Sequence, residues 1–119
     1  MKPFFVYNTS GDWVATRAGE HLWDPTGQWV GWVEGNDVYK RDGEWIGELS
    51  RDGRILRKRT AVHRPLRTDI PSPPNKPDDL PGRAPLPPMF SELTFSIVDV
   101  TEEDPELFKR ISDLRPDME

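Results

Sequence analysis

Thiols, imidazoles and clustered carboxylates are the side chains best suited to chemistry, and this chain is poor in the first two. It has no cysteine and two histidines, His21 and His63. Without thiols there can be neither a disulfide framework nor a thiolate metal site. The two imidazoles stand far apart, and neither has a second histidine at ligand spacing. A metal site would have to be built mainly from carboxylates, yet no loop carries the EF-hand pattern. The glycines recur at turns and never open a helix, so none forms a phosphate-cradling loop. No Gly-x-Ser-x-Gly or related nucleophile motif occurs. Asp24, Asp42 and Asp52 lie in turn sequences, where an Asp side chain serves its own backbone. His21 reads as an ordinary surface residue. Catalysis, a cofactor and a bound metal are not expected, and an enzyme of unknown type stands only as an alternative.

Binding chemistry has better candidates. Residues 51–67 carry seven basic groups against Asp52 alone. Such a cluster could neutralise phosphates, which makes nucleic acid or another polyanion an alternative ligand through Arg57, Lys58 and Arg59. The favoured reading is a strand with solvated edges, neutralised by the acidic end, where residues 99–119 hold eight acidic groups against three basic ones. Trp13, Trp29 and Trp45 read as core aromatics. Alternation puts Trp32 on the opposite side from Trp29, which makes it the candidate exposed aromatic contact.

The elements that position these residues repeat. "GDWVA", "GQWVG" and "GEWIG" begin at Gly11, Gly27 and Gly43, sixteen residues apart. At that spacing Val6, Leu22 and Val38 coincide, as do Tyr7, Trp23 and Tyr39. Trp13, Trp29 and Trp45 come next, and then the small residues Ala15, Gly31 and Gly47. A fixed period is the signature of a repeated supersecondary unit. Each unit reads as a β-hairpin: a short strand, a polar turn ending in glycine, then an alternating strand. Alternation predicts that the tryptophan and the small residue share one face, with the tryptophan filling the centre. A fourth unit begins at Asp52-Gly53 and Arg54-Ile55-Leu56-Arg57 but has no Gly-x-Trp. The strand-like LTFSIVDV, residues 93–100, is expected to complete the fourth hairpin or to cap an edge.

Sixteen-residue hairpins of this form resemble the small bacterial 4-fold β-flower domain, and more loosely MORN and WG-type repeats. The resemblance covers residues 4–57. It implies four hairpins set as petals about a pseudo-fourfold axis. It implies no activity, and no functional residue is carried over from it. The fold class expected is all-β: three to four consecutive hairpins, a Pro-rich arm, one C-terminal strand and a short C-terminal helix.

Nine of the thirteen prolines fall between Pro65 and Pro88. Proline removes donors and fixes φ, so this stretch reads as an extended, partly polyproline II connection. Arg83-Ala84-Pro85-Leu86-Pro87-Pro88 is faintly similar to an SH3 ligand, and plain linker is the reading preferred. A helix is predicted over 105–114, with Asp104 as cap, Pro105 in the first turn and a stripe of Leu107, Phe108, Ile111 and Leu114. So short a helix must dock to persist. The expected organisation is a repeat domain over 1–60, an arm over 61–90, and a strand and helix over 91–119 that dock in cis or on a partner subunit. The apolar run near the N-terminus is four residues long, so neither a signal peptide nor a membrane span is expected, and a cytoplasmic location is. The leading function is a non-catalytic binding or assembly module, as a homo-oligomer or with a protein partner.

Overall fold

The computed structural model describes residues 3–61 and 64–109. Eight strands form one antiparallel sheet in chain order: β1 (Phe4–Tyr7), β2 (Trp13–Ala18), β3 (His21–Trp23), β4 (Trp29–Glu34), β5 (Asp37–Lys40), β6 (Trp45–Leu49), β7 (Ile55–Lys58) and β8 (Ile97–Asp99). The sheet is therefore four hairpins in a row, and it curls so that its last strand reaches its first turn. The all-β repeat expected from the sequence is the fold found.

The turns explain the repeated glycine. In the first three hairpins the backbone closes the same five-residue loop. Asn8 N–H reaches Asp12 C=O at 3.0 Å, Asp24 N–H reaches Gln28 C=O at 2.8 Å, and Lys40 N–H reaches Glu44 C=O at 2.8 Å. The glycine in each loop has φ between 90° and 97°, a region that side chains with a Cβ avoid. Two-residue turns at Gly19-Glu20 and Gly35-Asn36 join one hairpin to the next. Between β6 and β7 the pattern changes. There residues 50–54 form a five-residue loop of the first kind, closed by Ser50 N–H to Arg54 C=O at 2.8 Å. The connection from Leu49 to Ile55 is one residue longer than that from Val33 to Val38, and its Gly53 C=O accepts Tyr7 N–H at 2.8 Å, which joins the loop to the free edge of β1.

Val6, Leu22, Val38 and Ile55 hold equivalent places in the four hairpins and are all wholly buried. Around them pack Ala15, Val30, Val33, Ile46, Leu49, Val98 and Val100. The small residue of each phrase faces this core. A Cβ at Gly31 would lie 2.1 Å from the Tyr39 carbonyl oxygen, and one at Gly47 would lie 2.6 Å from that of Leu56. The neighbouring backbone fills the space that a side chain would need.

The tryptophans do not fill the centre. Each second strand carries a β-bulge: Val6 pairs with Ala15 but Tyr7 with Trp13, and the same slip recurs at Leu22/Trp23 and Val38/Tyr39. The extra residue is Val14, Val30 or Ile46. A bulge breaks period-two alternation, so tryptophan and small residue fall on opposite faces. Trp13 meets Phe5 edge-on, with ring centroids 6.2 Å apart, and Trp29 meets His21 at 6.0 Å. Phe5 and His21 adjoin core residues and point away from them. All three tryptophans are half-buried on the outer face.

β8 completes the fourth hairpin, pairing Leu56 with Asp99, Arg57 with Val98 and Lys58 with Ile97. It is shorter than the strand predicted over 93–100, because the chain turns at Phe95-Ser96, closed by Ile97 N–H to Thr94 C=O. A one-turn helix, α1 (Val100–Glu103), comes next, capped by Asp99. Asp104 therefore ends a helix instead of starting one, and Leu107–Lys109 form a 3-10 turn. The predicted helix 105–114 is not formed over its described part. Ile111, Leu114 and His63 lie outside the described residues.

Candidate functional site: the strap and the face it covers

Past β7 the chain runs back across the outer face of the sheet as a strap. It crosses the hairpins in reverse order. The Arg64 guanidinium carbon sits 4.0 Å from the Trp45 ring centroid. Arg67 N–H donates to Gly43 C=O at 3.0 Å, and the Arg67 carbonyl would lie 2.4 Å from a Cβ at Gly43. Lys76 lies against Gly27, and Pro87 against Gly11. The strap thus meets the turn glycines of the third, second and first hairpins before β8 joins the fourth.

The face beneath the strap is aromatic. Tyr7, Trp23 and Tyr39 occupy equivalent positions and are buried. Tyr7 Oη donates to the Pro85 carbonyl at 2.5 Å, and its ring packs against Phe90 at 6.4 Å. Burial raises the Tyr7 pKa above its ordinary value, so the phenol keeps the proton it donates. Arg54, itself buried, spans Asp52 at 2.7 Å, Thr9 Oγ1 at 3.2 Å and the Phe90 ring at 4.8 Å. Burial pushes the Asp52 carboxyl up, but hydrogen bonds from Arg54 and Ser50 outweigh it, and the net direction is down.

Trp32 is 2% exposed, so the exposure expected of it is not found. It stacks on Tyr39, with centroids 5.1 Å apart, and its Nε1–H donates to Glu34 at 2.9 Å. The strap closes over this pair. Arg67 lies 5.0 Å from the Tyr39 ring and bonds Glu34 at 3.1 Å and Asp69 at 2.5 Å. Hydrogen bonds from Arg67, then from Trp32, hold the Glu34 carboxyl below its usual range, and Arg67 does the same for Asp69. The hydrogen bond to Asp69, then that to Glu34, raises the Arg67 pKa. Alternation alone could not show that a later segment would cover Trp32.

The structure separates the other predicted residues from this cluster. Arg57 is half-buried opposite Val98, and among the described residues its guanidinium reaches only the Lys58 carbonyl, at 3.4 Å. Lys58 is exposed at the end of β7. Arg59 lies 4.7 Å from the Phe95 ring and 3.8 Å from Glu103. His21 is half-buried and accepts the Trp29 Nε1–H at 3.2 Å. Burial lowers its pKa, against an opposing pull from Glu20.

The strap's burial has a period of its own. Pro71, Pro74 and Pro77 are half-buried, and so are Ala84, Pro87, Phe90 and Leu93, while most residues between are exposed. A turn and a bend over 78–83 separate the two runs. Three residues per turn is the geometry of polyproline II. One face of the strap is fastened to the sheet and the rest is offered to solvent. On that outer side Leu86 is 92% exposed, Met89 100% and, just beyond, Phe95 84%. The three-residue spacing is present in the sequence and marks the fastened face.

Two hollows remain. One, of about 380 Å³, lies between Trp13, Val14, Val30, Leu107 and Phe108, with Asp24 at its rim. Asp24 there is committed to its own turn, accepting from the Thr26 and Gln28 amides at 3.0 and 2.9 Å. The other, of about 490 Å³, is an open groove lined by Phe4, Arg17, Leu49 and Arg51. Among the described residues no three His, Cys, Asp or Glu side chains gather to hold a metal, and no helix is long and apolar enough to cross a membrane.

This geometry defines a class: a ring of four β-hairpins with a core at its axis, strapped on the outside by its own proline-rich segment. A family model described as 4-fold beta flower protein matches residues 4–98, and the chain belongs to that family. The match runs through the strap and into β8. No curated protein and no solved structure matches the chain.

Proposed function

We propose that the protein is a non-catalytic binding module in which the four-hairpin ring is a rigid frame and the strap is the surface it displays to a protein partner. One observation carries this reading. Leu86, Met89 and Phe95 stand almost fully in solvent on a segment whose other face is fastened down. Scattered exposed apolar residues are ordinary, but several gathered on one short segment mark an interaction surface. Polyanion binding through residues 51–67 has less support. Arg54, Arg59, Arg64 and Arg67 each already engage an aromatic ring, and three of them also a carboxylate.

The test is site-specific photo-crosslinking in the cells that make the protein. Met89→p-benzoylphenylalanine is expected to give a discrete protein adduct, and the same replacement at exposed Ser72 to give none. No adduct at position 89, or equal adducts at both positions, would refute the reading.

A further inference from the structure

We infer that the partner reads the strap as a polyproline II ligand, through an aromatic-lined groove with carboxylates at one end. This deepens the proposed function and rests on it. Four observations on the strap lead to it.

The first is conformation. Over 84–93 the inward positions Ala84, Pro87, Phe90 and Leu93 recur every third residue. Outward side chains at the same period, Leu86 and Met89, then stand about 9 Å apart along an axis that rises ~3.1 Å per residue. That spacing suits successive pockets of a groove. The second is order. The Pro85 carbonyl is held by Tyr7 and the Phe90 ring by Tyr7 and Arg54. A partner meets a ligand whose backbone is already fixed, which lowers the entropic cost of binding.

The third is the absence of donors. Pro85, Pro87 and Pro88 have no N–H, so a partner cannot extend a sheet along this stretch and must read side chains. The fourth is charge. Arg83 lies three residues before Leu86, is exposed, and has no ion pair or hydrogen bond among the described residues. An arginine beside an extended apolar ridge calls for a carboxylate at the end of the groove.

Size argues against a second copy of the chain. Leu86, Met89 and Phe95 together offer on the order of 500 Å², below the ~800 Å² per partner of a stable interface. A groove that wraps a narrow ridge makes better use of so small an area than a flat face does.

The test uses the full chain with three purified polyproline-reading domains, an SH3, a WW and an EVH1 domain, in heteronuclear NMR titrations. At least one is expected to bind. Leu86→Ser with Met89→Ser should weaken that binding about tenfold or more, and Arg83→Ala should weaken it and flatten its salt dependence. These positions are exposed, so the variants should melt as the parent does. Failure of all three domains, or binding indifferent to the Leu86/Met89 pair, would overturn the inference. So would ridge-dependent dimerisation by sedimentation, or ridge-dependent binding to phosphatidylcholine/phosphatidylserine vesicles in place of the domains. If the domains fail while the crosslink at position 89 persists, only the partner class falls. If both fail, the proposed function falls too.

Discussion

Removing the Asp99 carboxylate should unfasten the ring. Asp99 stands directly after the last core residue of β8 and is buried. One of its oxygens accepts the Thr9 amide at 2.8 Å and the Thr9 hydroxyl at 2.5 Å. The other caps α1, accepting the Glu102 amide and the Thr101 hydroxyl, both at 3.3 Å. Glu102 adds a second pair, taking the Ser10 amide at 2.7 Å and hydroxyl at 2.8 Å. The fourth hairpin is thereby clasped to the turn of the first. Hydrogen bonds to a charged group contribute about 1.5–3 kcal/mol each, and an N-cap about 1 kcal/mol. Thr9 is exposed and water can replace part of what it loses, so the lower end applies and Asp99→Ala should cost about 3–4 kcal/mol in all. For a domain near a hundred residues that lowers the melting temperature by roughly 12–30 °C. Thermal unfolding by far-ultraviolet circular dichroism reads this directly. A double-mutant cycle with Thr9→Ala, which removes the hydroxyl and keeps the amide, isolates the hydroxyl's share of the clasp, since residues in contact are expected to be non-additive. A change below about 3 °C, or additivity within ~0.5 kcal/mol, would refute the role given to the clasp.

Three further outcomes are expected. Gly31→Ala places a methyl group against an immovable carbonyl 2.1 Å away and should cost at least ~3 kcal/mol in urea unfolding, the upper part of the usual overpacking range, whereas Gly35→Ala meets nothing within 4 Å and should cost less. Arg67→Ala should free one end of the strap, and limited proteolysis within residues 70–83 should accelerate while the core strands stay protected in hydrogen exchange. The His21 pKa is lowered in the folded protein, so its contribution to stability is full above the unfolded value of about 6.5 and is lost as pH falls from there through the folded value; the Trp29 indole N–H resonance should shift in that window, and a pH-independent resonance would contradict the bond to His21 Nδ1.

The repeat made much of the ring legible in the sequence. Gly11, Gly27 and Gly43 are turn glycines because only their backbone suits that loop, and Val6, Leu22 and Val38 are core because they hold one place in successive hairpins. The tryptophans fall on the unexpected face for a specific reason. A bulge sets two residues opposite one and so reverses the side on which the next side chains point, and the phrases carry no residue that announces it. Trp32 could not be placed without knowing that residues 64–69 return over it. The candidate surface was half legible. Prolines at 71, 74 and 77 already carry the period of a packed polyproline face, but the exposure of Leu86 and Met89 depends on which face the Tyr7 hydroxyl and the turn glycines capture. Asp104-Pro105 looks like a helix start by local chemistry alone, and Asp99 wins because its carboxylate serves the Thr9 clasp and α1 together.

The position of β8 in the chain governs the order of events during synthesis. Its partner β7 ends at Lys58, and β8 begins only at Ile97. A nascent chain that has made three hairpins therefore carries β7 with one open edge until residues 97–99 have emerged. Closing a loop roughly eightfold longer than the five-residue turns costs about 2 kcal/mol more in chain entropy, and pairing across such a separation is slow. If the strap made its contacts with Gly43, Gly27 and Gly11 first, they would lead the last strand around the sheet toward its docking place and shorten that search. Until then the unpaired edge of β7 bears Arg57 and Lys58 beside Arg59. An edge with that run of like charge is a poor template for pairing with another unfinished chain.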